Sequence, residues 1–145
     1  MEITREADYA LRTVLELAGE PTQTPRTLAL VARRRLIPRP FLRKIVGRLV
    51  AAGLLETRRG RQGGLLLARA PEEISILGVI EAVEGPVTVN RCVLRPEICP
   101  LQPTCPVHEV CRQIWRETVR LMSGVSLAQL AARGFELRAA AAGAH

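Results

Sequence analysis

A chain of 145 residues, 48% of them hydrophobic, is one domain of ordinary size with enough apolar side chain for a core, which excludes an intrinsically disordered class. Aromatic residues make up only 3%, so the core is aliphatic and stacking on single-stranded nucleic acid is disfavoured; no apolar run approaches the length of a membrane span. The net charge of +7, carried by arginine with Lys44 as the only lysine, calls for a polyanionic partner.

The N-terminus has acids and an amphipathic pattern where a secretory leader has a basic head and an apolar run, so a reducing cytoplasm is expected. Over residues 3–19, Ile3, Ala7, Ala10, Leu11, Val14, Leu15 and Ala18 follow the helical period, with Thr4 suited to the start and Gly19 to the stop. Asp8 falls on the polar side and by itself reads as a solvated carboxylate. Residues 20–25 predict a turn, residues 26–34 a short helix, and Leu36-Ile37-Pro38 a tight turn. A third helix is predicted from Pro40 to Ala52, with Phe41, Leu42, Ile45, Val46, Leu49 and Val50 on its core face. Pro40 is tolerated in the first turn, where its missing N–H has no partner to lose, and Gly53 ends the helix.

Next, residues 54–57 and 65–68 read as two short strands joined by a Gly- and Arg-rich tip. The glycines of that tip lack the order of a phosphate-binding loop and lead into a strand, not a helix. Across residues 33–61 stand Arg33, Arg34, Arg35, Arg39, Arg43, Lys44, Arg48, Arg58, Arg59 and Arg61, with Glu56 the only acid among them. A solvated face is the bland explanation, but so lopsided a run suits duplex DNA better. Two short helices, a tight turn, a basic helix and a basic hairpin describe a winged helix-turn-helix, with the basic helix in the major groove and the hairpin tip on phosphate or the minor groove. The expected fold is mainly α with this small β-hairpin wing, plus a long dimerisation helix.

Residues 72–84 predict a helix ended by Gly85-Pro86, and residues 87–91 an extended segment. All four cysteines then fall between Cys92 and Cys111, spaced C-x6-C-x5-C-x2-H-x2-C through Cys99, Cys105 and His108. Pro96, Pro100, Pro103 and Pro106 make this a stiff loop. Two disulfides or four inert thiols are the plain alternatives; in a reducing compartment such a cluster is more often a metal or redox site. Zinc stays open as a Cys3His set, although the short gaps of zinc fingers are absent. From about residue 106 to 123, Val107, Val110, Cys111, Ile114, Trp115, Thr118, Val119 and Met122 form an apolar helical stripe with little left to pack on in its own chain, so a twofold dimer is expected. A short helix over 126–134 and a frayed tail over 135–145 complete the chain, His145 carrying no signal. The organisation expected is thus a DNA-binding domain over 1–85, a cysteine loop over 86–105, dimerisation and C-terminal helices over 106–134, and a flexible tail.

The chain resembles the Rrf2 family of bacterial transcription regulators, including its IscR-like, NsrR-like and CymR-like members. The resemblance covers about residues 2–131. It rests on ADYALR (7–12), IPRPFLRKIVGRLVAAGLLETRRGRQGG (37–64), ARAPEEISILGVIEAVEG (68–85), three spaced cysteines and SLAQL (126–130). It implies a homodimeric, cytoplasmic winged-helix protein, most often a repressor, on a pseudo-palindromic DNA operator. It further implies an iron–sulfur cluster, 2Fe–2S or 4Fe–4S, held by Cys92, Cys99 and Cys105, that senses iron–sulfur status, redox or nitric oxide. The fourth ligand implied is His108 in IscR-like proteins or, in NsrR-like proteins, an acid near the N-terminus of the other subunit, where Asp8 matches. The chain departs from the family pattern in Leu65 after the wing glycines, in the first cysteine gap of six, and in the extra Cys111, which suits a core position of the long helix. A cluster-free thiol or zinc regulator is the alternative function, and a small iron–sulfur carrier a more distant one that leaves the basic helix and wing unused. With two histidines, one terminal, and no catalytic constellation, an enzyme is not expected.

Overall fold

The computed structural model describes residues 3–19 and 24–144. Most of the 20–25 turn and His145 lie outside those residues. Helix α1 (Arg5–Leu17) starts where the Thr4 hydroxyl accepts the Ala7 N–H, and it buries Ala7, Ala10, Val14 and Leu17. Helix α2 (Leu28–Arg35) is capped in the same way by Thr27, which accepts from Leu30 N. Leu36 ends α2 in the left-handed region at φ 54°, exposed, and its neighbour Ile37 turns into the core. Helix α3 (Arg39–Ala51) follows at once, its Pro40 in the first turn, and buries Leu42, Ile45, Val46 and Leu49. These three helices pack on one another around an aliphatic core.

The wing is the antiparallel pair β1 (Leu55–Arg58) and β2 (Gly64–Leu67), in register from Leu55 opposite Leu67 to Arg58 opposite Gly64. Arg26, just before α2, adds a one-residue bridge: its N–H donates to the Leu65 carbonyl at 3.0 Å and its carbonyl accepts from Leu65 N at 2.8 Å. A side chain at Gly64 would place its Cβ 2.6 Å from the Arg26 carbonyl oxygen, so glycine is required for this approach. The bridge clamps the base of the wing to the helix-turn-helix, while Leu65 and Leu66 are buried and the basic tip is exposed.

The helix predicted over 72–84 is two pieces. A 3₁₀ turn (Pro71–Glu73) precedes α4 (Ile76–Glu84), because Ser75 interrupts as an N-cap, accepting Gly78 N at 3.1 Å. After Gly85 the loop contains a short helix α5 (Arg91–Leu94), where an extended segment and a non-helical loop were expected, and two 3₁₀ turns (Pro96–Ile98 and Gln102–Thr104). Each of the two turns has a proline in its first turn, where the missing N–H has no intrahelical partner to lose.

Helix α6 (Pro106–Gly124) is one long rod, and α7 (Leu127–Gly143) runs well past the short helix and frayed tail expected from residue 135. The extension has a local cause: Leu137, Arg138 and four successive alanines are strong helix formers. A second expectation also needs correcting. Helix α6 does find a partner in its own chain, since it packs on α4, and Met122 lies against the core. Only Val107, Val110 and Ile114 of its predicted stripe stay exposed, with Leu121, outside that stripe, exposed as well. Two backbone bonds stitch this C-terminal part to the rest, Ile76 N to the Val125 carbonyl at 3.0 Å and Leu127 N to the Ile74 carbonyl at 2.7 Å. Among the described residues no helix is long and apolar enough to cross a membrane.

Leu49 has no exposed surface in the centre of this core. Leu49→Ala is expected to lower unfolding free energy by about 2–5 kcal/mol in urea titrations, through lost transfer energy and the cavity left behind.

Candidate nucleic-acid interface and metal centre

The ten basic residues divide into groups that the sequence order does not reveal. Glu16 on α1, 6% exposed, accepts from Arg34 Nη1 at 3.0 Å and from Arg35 Nε at 2.7 Å, with Arg26 Nη1 at 3.9 Å. Burial by itself raises the Glu16 carboxyl's pKa; the hydrogen bonds from Arg34 and Arg35 and the charges of Arg35 and Arg26 outweigh it and hold the group below the ordinary carboxylate value. Glu6, at the start of α1, pairs with Lys44 at 2.6 Å and Arg48 at 2.7 Å. The Lys44 hydrogen bond, opposed by desolvation and aided by the charges of Arg48 and Lys44, keeps Glu6 low as well. Both acids lie outside the basic run. The helical period of α1 could have placed them on faces toward α2 and α3, but only the packing showed which cations they meet.

The rest are paired loosely or not at all among the described residues. Arg39 and Arg43 are exposed and lie four residues apart, on one face of the N-terminal half of α3. Arg33, also exposed, lines with Arg39, Thr27 and Leu30 the concavity between α2 and α3, about 580 Å³. Arg59 and Arg61 stand exposed at the wing tip, and Arg58 is only loosely paired with Glu56 at 3.7 Å. Arg33, Arg39, Arg43, Arg59 and Arg61 have no carboxylate within salt-bridge distance among the described residues.

The cysteine-bearing segment joins α4 to α6. Cys92 sits on α5, Cys99 ends the first 3₁₀ turn, and Cys105 is the N-cap of α6. All four cysteines are half-buried free thiols. His108, in the first turn of α6 and 8% exposed, brings Nδ1 to 3.5 Å from Cys92 Sγ. Cys105 and His108 line one concavity of about 410 Å³ together with Glu109 and Arg112. Among the described residues no three His, Cys, Asp or Glu side chains converge as a metal-holding group. Cys92 is thus the thiol within hydrogen-bonding distance of the imidazole, with Cys105 sharing a concavity with it. Trp115 anchors the segment from the α6 side, donating Nε1–H to the Val87 carbonyl at 2.8 Å.

Asp8 is not merely solvated. It forms a two-pronged pair with Arg12, Oδ1 to Nε at 3.1 Å and Oδ2 to Nη2 at 2.6 Å. Arg12 also donates to the Arg35 carbonyl at 3.4 Å and lies over the Tyr9 ring. The Asp8 carboxylate is thus held half-exposed at the surface of α1.

A family model described as Rrf2, iron-dependent transcriptional regulator, matches residues 3–133. The chain is 33% identical over 140 residues to the HTH-type transcriptional regulator NsrR of Halalkalibacterium halodurans, covering 96% of both chains. It is 30% identical to IscR of Aliivibrio salmonicida, over 90% of this chain and 77% of that one. Among solved structures it is similar to CymR, the global cysteine regulator of B. subtilis, with a TM-score of 0.78, 25% identity, and coverage of 92% and 98%. The fold is shared with T. potens IscR at a TM-score of 0.76 and 22% identity, covering 92% and 88%.

The depressed Glu16 carboxyl ties stability to pH. Its folded pKa lies below its value in the unfolded chain, near 4.5, so the stabilisation is complete above that value and is lost as pH falls through the folded pKa. Glu16→Gln should cost about 1–3 kcal/mol at neutral pH and flatten the acid limb of a stability–pH curve measured by denaturant unfolding.

Proposed function

The chain belongs to the Rrf2 family of transcriptional regulators, and from that premise we propose that it is a homodimeric repressor whose operator binding is controlled by an iron–sulfur cluster. Members of this family are regulators of transcription, not enzymes. The observation that carries the cluster is the donor set on one short connection: Cys92, Cys99 and Cys105 between α4 and α6, with His108 beside Cys92. Half-buried thiols with a neighbouring imidazole are soft donors of the kind such clusters take. The family's description as iron-dependent and the likeness to NsrR and IscR point the same way.

In this reading Cys92, Cys99 and Cys105 hold the cluster, and the fourth ligand is His108 or Asp8 of the partner subunit. A bound cluster supplies a centre whose loss or alteration reports iron supply, oxidants or nitric oxide. The chain's part is to link that centre to the reading head: the loop is continuous with α4, which packs on α1 and α3. The uncovered side chains of α6, Val107, Val110, Ile114 and Leu121, form the dimer seam with a second copy. Arg39 and Arg43 enter the major groove, while Arg33, Arg58, Arg59 and Arg61 meet phosphate or the minor groove. The protein works in the cytoplasm, where its thiols stay reduced.

A second reading, a cluster-free thiol or zinc regulator, is favoured by two observations: the four thiols are free without forming a convergent metal group, and the structural likeness includes a cysteine regulator.

Anaerobic purification with iron, sulfide and zinc analysis separates the two. The expected result is iron and sulfide with visible absorbance, lost in Cys92→Ala, Cys99→Ala and Cys105→Ala and retained in Cys111→Ala. Zinc alone, or oxidisable thiols without metal, would establish the second reading. Of His108→Ala and Asp8→Ala, the one that changes the spectrum identifies the fourth ligand. For DNA, Arg59→Ala is expected to reduce the log–log salt slope of binding by about 0.9 in anisotropy titrations, the loss of one phosphate contact.

A further inference from the structure

Arg48 lies in the run of basic residues but not in the exposed set. It is nine residues after Arg39, so along α3 it stands about 13 Å from the end of the helix that enters the groove. Its Nη1 donates to two acceptors at once, the Glu6 carboxylate at 2.7 Å and the Val83 carbonyl. Val83 is in the last turn of α4, where carbonyls have no intrahelical partner and the helix end carries partial negative charge. A guanidinium there satisfies an orphan acceptor and complements the dipole.

The same place gathers further ties. The Thr4 N–H, at the cap of α1, donates to Glu84 Oε1 at 3.3 Å, and the Thr4 hydroxyl is bonded to the same oxygen. Glu81, one turn back, accepts Val87 N at 3.2 Å, and the Val87 carbonyl accepts from Trp115 of α6. The start of α1, the last turn of α3 and the exit of α4 thus meet at one charged junction, eight residues before Cys92.

We propose that Arg48, braced by Glu6, is a positioning residue: a strut that fixes the angle of α3 against the exit of α4, and not a DNA contact. This rests on the proposed role of α3 in reading DNA. Its consequence is that a change in the segment leaving α4 reaches α3 through one side chain with two partners. Lys44, paired with the other oxygen of Glu6, keeps that carboxylate ionised and oriented.

The strut and a phosphate contact predict opposite signs. If Arg48 contacts phosphate, Glu6 competes with DNA, so Glu6→Gln tightens binding, Arg48→Gln lowers the salt slope by about 0.9, and Arg48→Lys, which keeps the charge, binds like wild type. If Arg48 is a strut, Glu6→Gln and Arg48→Gln each weaken binding about tenfold with the wild-type slope, and the double variant is no weaker than either single. Arg48→Lys then shares the loss, because the lysine side chain is one bond shorter and its ammonium falls short of the position of Nη1 between the two acceptors. The assay is anisotropy of the full-length protein against a duplex that the wild type selects from a random pool, across a salt series. Thermal melts run alongside, and Arg48→Lys is the variant expected to stay folded if the glutamine variants do not. Tightening by Glu6→Gln, or wild-type affinity in Arg48→Lys, would overturn the strut. A wild type that selects no duplex refutes the DNA-reading role of α3 itself, and that outcome is distinct from one in which the wild type binds and the signs reverse.

Discussion

Like charges in a compact domain repel, so ten cations in 29 residues of the reading head destabilise it, and neutralising some of them from elsewhere offsets that cost. Helix α1 supplies that neutralisation. Glu16, nearly buried, gathers Arg34 and Arg35 at the end of α2, and Glu6 gathers Lys44 and Arg48 on α3. A single carboxylate between cations from one helix fixes that helix to α1 as well as screening it. The arginines at the C-terminus of α2 also oppose the negative end of its dipole, so their placement is favourable before any DNA arrives. The cations left over stand on the N-terminal half of α3, on the flank of the turn and on the wing, and among the described residues only Arg58 of these has a carboxylate within salt-bridge distance.

The aliphatic core makes this arrangement rigid. With aromatics nearly absent, Leu, Ile, Val and Ala from α1, α3, α4 and the wing fill it, and the Arg26 bridge holds the wing base where Gly64 permits close approach. A wing set by backbone hydrogen bonds and buried leucines cannot reorient independently of α2. Movement of the reading head is therefore a matter of whole helices, and where α1, α3 and α4 meet, ionic groups add to the packed methyls that hold them.

The cysteine segment stands apart in character. It has short turns, half-buried thiols and few core contacts, and its firmest ties are Trp115 to Val87 on one side and His108 beside Cys92 on the other. Low packing leaves such a segment easier to rearrange than the core on either side of it. Its two flanks, α4 and α6, are the elements that touch the DNA-binding core and carry the exposed apolar stripe, respectively.

Much of this was written in the sequence. Helical periodicity located the cores of α1, α3 and α6, the glycine-rich tip located the wing, and cysteine spacing located the loop, because each depends on residues close together in the chain. Local chemistry had a limit even there: Ser75 as a cap, the helix at Arg91–Leu94 and the run of α7 to Gly143 were missed where caps and alanine propensity outweighed pattern. The pairing of charges was beyond it altogether. Lys44 is 38 residues from Glu6, and Arg35 is 19 from Glu16. An ion pair across such separations is decided by which helix faces pack together, and the sequence alone could only count those arginines as one basic surface. The chain by itself determined that a basic winged helix and a cysteine loop exist; the tertiary structure decided which of the basic residues are paired with the carboxylates of α1, because only packing brings those carboxylates within hydrogen-bonding distance of them.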